Sequence, residues 1–506
     1  MGPNSCSLHR ASRSTVSIEE RARLPLHLRG SIMPTIEAAF RLRVAFPLFV
    51  CSFVGIALAC NDSPVRPHVV LISVDTLRAD HVGAWGYERA TTPTLDTLAS
   101  RSVRFSNAIS HASWTLPSHM SVMTSLRPSV HGVSTQRSLA PEAITLAETL
   151  KGVGYRTAAF VSWVYVGKSF GFGQGFDSFR TLIRPGRVEM GAGGGAHSAR
   201  QIVDVVVDWL DHDPVDPLFL FVHLFDPHSD YDPPREYSEM FDPDYAGSLD
   251  GRFDTLTKFN RYLDAPAQDL PRRDLEHIEA LYDAEIRYVD DQLARLLQAL
   301  DEQLGLDNCL IVFTSDHGEE FMDHGSMEGH GWSLYEEVLH VPLLVKLPNA
   351  EWAGSVVTNP VGLIDIAPTI LNWIGVDPPA AFEGTSLAGL IEGRDETHTP
   401  QYVLSENDRW NIKRRSIRGS RYKLIITEDT GVNTAGVPVR AGIELFDLRE
   451  DAGEQHNLYE PEDPRSQALV SLLEKMSASP ASPSNNPEVE ISPEQTELLR
   501  SLGYVE

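Results

Sequence analysis

Four short runs of large apolar residues constrain this chain more than anything else: VVLISV at 69–74, LFLFV at 218–222, CLIVFT at 309–314 and VPLLV at 341–345. None of them alternates with polar residues, so each reads as a strand buried on both faces. Between them lie stretches with helical spacing at 200–209 and 278–300. In the second, Leu281, Ile286, Val289, Leu293 and Leu297 share one stripe. This alternation predicts an α/β fold, a mostly parallel sheet sandwiched by helices. After Pro378 the pattern changes to short runs at 402–404, 415–418, 422–426 and 444–447, which predict a smaller C-terminal antiparallel α+β subdomain.

Three of the four apolar runs end in residues able to hold a metal: Asp75 after the first, His223 and Asp226 after the second, Asp316 and His317 after the third. Open α/β sheets bind ligands beyond the carboxyl ends of their strands, so topology alone gathers these groups at one edge. Asp75 is either a hard oxygen ligand for a divalent cation or a turn former and helix cap. Asp316 and His317 add an oxygen and a nitrogen donor, a pair that suits Zn²⁺, Mn²⁺ or Fe better than an all-oxygen site. Between them in sequence, Ser113-Trp114-Thr115-Leu116-Pro117-Ser118-His119 leads into an apolar stretch. Pro117 belongs in a first helical turn, which puts Thr115 near the helix start. A hydroxyl there either caps the helix or sits where free N–H groups and the helix dipole cradle a tetrahedral oxyanion.

These segments form an ordered set: HVVLISV leading into DTLRADHVGAWGY, then SWTLPSHMSVMTSLRPSVHGV, HLFDPHSDYDPP, YDAEIRYVDDQLARLL, TSDHGEEFMDHG and GHGWSLYEEVLHVPLLV. Together they resemble the blocks of the sulfatase family, within the alkaline phosphatase-like superfamily. The resemblance implies that Asp75, Asp316 and His317 are metal ligands, Ca²⁺ being the family's ion, and that Thr115 stands at the nucleophile. It implies that His228, in Asp226-Pro227-His228, contacts the sulfate or acts on the leaving group. Asp226, His228 and His330 have the chemistry for a second metal; otherwise the two histidines only hydrogen-bond the substrate or a carboxylate. His324 is a weaker candidate, and Glu319 is expected to support the ligands from behind.

The chain also departs from the family pattern. Thr76 follows Asp75 where the family has a second Asp, His119 stands where it has an Arg, and no Lys-x-His clamp occurs at 161–166. The family nucleophile is a formylglycine made from Cys or Ser, whereas Thr would give a ketone. Three activities stay open: hydrolysis of sulfuric esters, hydrolysis of phosphodiesters, phosphonates or lipid headgroups through Thr115, and binding without catalysis. The substrate is expected to be a small-molecule, glycan or lipid ester.

The formal charge is −27, and the first sixty residues carry seven Arg against three Glu, so the remainder is more acidic still. Nucleic-acid binding, which needs a basic face, is excluded. The sixteen apolar residues at 44–59 follow Arg41 and Arg43 and fall short of a membrane span of about 20. They suit a signal peptide. Ala57-Leu58-Ala59-Cys60 resembles a lipoprotein cleavage site, which would leave a lipidated Cys60 anchoring the protein to a membrane; a signal cleaved nearby, or an uncleaved anchor, is the alternative. A start at Met33 would give a leader of ordinary length. The expected organisation is an export segment at 1–60, a catalytic domain at 66–376, a subdomain at 377–475 and a linker and tail at 476–506, in a protein exported to a bacterial periplasm or envelope. With four cysteines, three of them in the leader or at its end, no disulfide framework is expected.

Overall fold

A computed structural model describes residues 66–182, 198–212, 217–263, 267–327, 329–394, 402–478, 485–493 and 495–496. The expected export segment, Cys60, the glycine-rich stretch at 191–195 and part of the expected linker lie outside these residues. Among the described residues no helix is long and apolar enough to cross a membrane.

The main sheet contains β1 (His68–Val74), β2 (Val103–Ile109), β3 (Arg156–Val161), β4 (Ser178–Thr181), β5 (Leu218–Leu224), β6 (Cys309–Ser315), β7 (His340–Lys346), β8 (Val356–Val357) and β9 (Val361–Gly362). Their order is β4-β3-β5-β1-β6-β7-β2-β8, with β9 also on β2. All pairings are parallel except those of β7, which runs against both β6 and β2. A parallel return needs a crossover to the far edge of the sheet. No long helix lies between the end of β6 and the start of β7, so β7 starts from the edge where β6 stops.

The sheet is buried on both faces, as runs without polar alternation require. Val69, Leu71, Phe219, Phe221, Leu310 and Val312 belong to the core on one side, and Val70, Ile72, Leu220, Val222, Ile311 and Phe313 to the core on the other. The Ser198–His212 and Arg272–Leu304 helices close the second core with Val203, Val206, Leu293 and Leu296. The Thr115–Thr124 and Ile366–Trp373 helices close the first. Each such side chain contributes roughly 1.5–3 kcal/mol by leaving water.

A four-stranded antiparallel sheet follows: β10 (Tyr402–Arg409), β11 (Ile412–Gly419), β12 (Tyr422–Thr427) and, after a short hairpin of β13 (Gly431–Val432) and β14 (Pro438–Val439), β15 (Gly442–Asp447). Here the period of two is explicit. Val403, Ile425 and Phe446 pack with Ile109, Val338 and Leu339 of the main domain, while Leu404, Leu424 and Leu445 face Leu469 and Leu473 of the Pro464–Ser477 helix. The expected fold class, a mostly parallel sheet with an antiparallel subdomain, is therefore observed, β7 being the antiparallel strand of the main sheet.

Two buried histidines outside the candidate ligand set make the fold sensitive to acid. Burial pushes His111 down to about 4 and His131 down to about 3. Both are neutral when folded, so below about pH 6.5 the unfolded chain binds more protons than the native one. Stability is therefore complete above that value and is lost as the pH falls towards 4. Chemical denaturation at pH 7 and pH 5 should give a lower midpoint at pH 5, at roughly 1.4 kcal/mol per pH unit per histidine inside the window. An unchanged midpoint would contradict this.

Candidate functional site

The register of the central strands places the ligand residues side by side. Val74 pairs with Leu224 on one side and Ser315 on the other, so β1, β5 and β6 stop in line and release Asp75, Phe225 and Asp316 together. His223 is not beyond its strand but within β5, opposite Ser73. Its Nε2 lies 3.2 Å from Asp75 Oδ2.

Asp75, Asp316 and His317 are buried and bring one ligand atom each within 4.8 Å of one another. His317 Nδ1 donates to Gly318 O at 2.8 Å, which leaves the lone pair on Nε2. That Nε2 lies 3.5 Å from Asp75 Oδ1, 3.3 Å from Asp316 Oδ2 and 3.3 Å from Thr115 Oγ1. Asp75 Oδ1 and Asp316 Oδ2 have no hydrogen-bond partner. Burial pushes His317 down to about 4, so it supplies no positive charge at neutral pH. Two orphaned carboxylate oxygens and an imidazole lone pair meeting in a dry place repel one another unless a cation sits between them. The residues present fit a divalent ion. Burial, with Asp316 and Glu319 nearby, raises Asp75, whereas His317 and His119 hold Asp316 low against burial.

Thr115 is the first residue of the Thr115–Thr124 helix, and Trp114 takes the cap position. The hydroxyl is therefore not a cap; it faces His317. Pro117 lies in the first turn as expected, and the whole helix is buried. His119, one turn on, places Nδ1 3.1 Å from Thr115 O and 3.3 Å from Asp316 Oδ2, and its Nε2 2.9 Å from Ser73 Oγ. It ties the Thr115 helix to β1 and stands beside the Asp316 carboxylate.

A second group of histidines lies alongside. The His330 ring is 4.6 Å from that of His317 and 4.8 Å from that of His228. Glu319, fully buried, sits 3.2 Å from His330 Nδ1. His228 Nδ1 donates to Ser229 O at 3.0 Å, and its ring stacks on Phe225, which stacks on Trp163. Burial pushes both His228 and His330 down to about 3. Where the family's Lys-x-His clamp would fall, the chain carries Trp163 and Tyr165, with Tyr165 edge-on to Trp114. Asp226 Oδ2 accepts from Ala199 N at 2.7 Å, at the start of the Ser198–His212 helix. His324 is engaged elsewhere, with Glu337 and Glu454 O. Sequence reasoning named Glu319 only as support and placed His223 after its strand. The signal for both was one of spacing: His223 stands one residue before the end of β5, and Glu319 two residues after His317.

Gly318 lets the second turn pass close to its neighbour: a Cβ there would collide with Glu337 O. The glycine between His317 and Glu319 is thus required by space.

The sulfatase family profile matches residues 67–376, and a profile described as N-sulphoglucosamine sulphohydrolase, C-terminal, matches residues 329–479. The chain is 26% identical over 460 residues to an arylsulfatase of Clostridium perfringens, covering 79% of this chain and 91% of that one. Among solved structures it is similar to BT4656 in complex with its substrate D-glucosamine-2-N,6-O-disulfate, with a TM-score of 0.67 at 19% identity, covering 81% and 97% of the two chains. It is also similar to the phosphonate monoester hydrolase of Agrobacterium radiobacter, with a TM-score of 0.64 at 21% identity, covering 81% and 95%. The matched profile spans more than half the sequence and both turns that carry Asp75, Asp316 and His317, so the chain belongs to the sulfatase family and is a hydrolase.

Proposed function

We propose that the protein is a divalent-metal-dependent hydrolase of sulfuric esters in which Thr115 supplies the nucleophile. The observation that carries this reading is the meeting of two unpartnered carboxylate oxygens and His317 Nε2 beside the Thr115 hydroxyl. Asp75, Asp316 and His317 would hold the ion, which when bound lowers the pKa of a neighbouring hydroxyl and stabilises developing negative charge. Thr115 lies at a helix N-terminus, where free N–H groups and the dipole favour the ester's anionic oxygens. His228 is assigned to the leaving oxygen. Neutral in the free protein, it keeps Nε2 as its basic nitrogen, and the charge of a bound ester favours a proton there. The substrate named for BT4656 suggests a sulfated sugar as the organic part.

A second reading, hydrolysis of phosphodiesters, phosphonates or lipid headgroups, is favoured by Thr115 itself. Oxidation of a threonine carbinol gives a ketone, so the formylglycine route is closed and direct attack by the hydroxyl remains. Metal analysis of the purified protein followed by assay on aryl sulfates, phosphodiesters and phosphonates separates the two. Turnover of aryl sulfates as the preferred class is the expected result. Turnover confined to the phosphorus esters would sink the first reading, and no turnover on any class would sink both.

A further inference from the structure

The turn that follows Asp75 is held by three side chains from two other places in the chain. Thr76 has a φ of 54°, a left-handed conformation that a β-branched residue adopts only when its surroundings force it. Thr76 N lies 3.3 Å from Asp316 Oδ1, and Leu77 N donates to Ser315 Oγ at 3.0 Å. The next N–H, of Arg78, donates at 3.0 Å to the hydroxyl of Tyr282, which itself donates to Thr76 O at 2.7 Å. Tyr282 is fully buried in the Arg272–Leu304 helix. Its phenol thus spans Leu77, taking the carbonyl of left-handed Thr76 before it and the N–H of Arg78 after it. Ser315 Oγ completes the lacing by donating to His317 O at 2.7 Å, so one hydroxyl joins the turn after β1 to the turn after β6.

We propose that Tyr282 is a positioning residue for the metal site: its hydroxyl fixes the left-handed turn at Thr76 and so sets the position of Asp75 relative to Asp316 and His317. The assignment rests on the metal-site reading above and goes beyond it by naming what holds the ligands apart from their own strands. Groups that orient ligands from behind typically cost 10–100-fold in metal affinity when removed.

The test is calorimetric titration of the metal-free full chain with Ca²⁺, Mn²⁺ and Zn²⁺, with thermal unfolding measured beside it. Tyr282→Phe keeps the ring, which packs against His81, Tyr231 and Phe321, and deletes only the hydroxyl. It is expected to weaken the tightest-bound ion by about tenfold or more. Tyr237→Phe removes another phenol that bonds the same helix, through Asp291, and is expected to leave the dissociation constant within about twofold of wild type. A purely structural role would lower the melting temperature and leave the dissociation constant unchanged; that result overturns the proposal. Should Tyr282→Phe fail to fold, Ser315→Ala is read instead, with the same expected loss, and an unchanged constant there overturns it equally. If the wild-type chain binds none of the three ions, the metal-site reading falls and takes this assignment with it. Binding by wild type that Tyr282→Phe does not alter sinks the assignment alone.

Discussion

Replacing Thr115 by alanine is expected to lower kcat on the best ester substrate by on the order of 10⁴-fold or more while the protein stays folded. The residue is 2% exposed and stands at the first position of a helix, where alanine is well tolerated, so the change removes little besides Oγ1. Metal affinity should stay within about threefold, because the two carboxylates and His317 remain. Thr115→Ser keeps a hydroxyl at the same place and should retain activity within about tenfold. Steady-state kinetics with calorimetry on the same preparations checks both halves. If Thr115→Ala keeps more than about a tenth of the turnover, the nucleophile lies elsewhere.

Asp75→Asn should have the second large effect, and its sign differs between the two states of the protein. In the metal-loaded state it removes one negative charge from a fully buried ligand set. Several kcal/mol of lost stabilisation corresponds to on the order of 10³-fold in metal affinity, and kcat/KM should follow. In the metal-free state the same change removes a buried charge that its surroundings disfavour and relieves the repulsion between Asp75 and Asp316, so the variant should melt no lower than wild type. Thermal unfolding with and without the ion therefore gives opposite orders: wild type the more stable when loaded, the variant equal or better when stripped. A variant that is less stable in both would mean that Asp75 serves the fold and not a cation.

Much of this arrangement was readable from particular residues. The apolar runs at 69–74 and 309–314 were recognisable because buried strands leave no polar alternation, and they named Asp75, Asp316 and His317 by ending where they do. The direction of β7 was not readable. A strand buried on both faces has the same composition whichever way it runs, and its orientation came from the absence of a crossover between 315 and 340. The position of Thr115 was half legible: Pro117 placed it at a helix start, but only the structure puts Trp114 at the cap and turns the Thr115 hydroxyl towards His317. Tyr282 left no sequence signal, since a phenol inside a helix that also carries a core stripe looks like packing. Its use depends on where another segment's carbonyl and N–H fall. The pairing of Glu319 with His330 depends on the path of the chain from 320 to 329 and could not be inferred from spacing.

The distance along the chain between the two turns that carry Asp75 and Asp316 has a consequence for how the proposed site would acquire an ion. Thr76 and Asp316 meet although 240 positions separate them, so most of the catalytic domain must be synthesised before the site can exist. A growing or unfolded chain offers only scattered carboxylates and imidazoles, none of which competes for a cation. Whichever compartment lets β1 and β6 come together also decides which metals are on offer at that moment. The selectivity of the proposed site would then be written partly by the place and timing of folding, and only partly by its donor atoms.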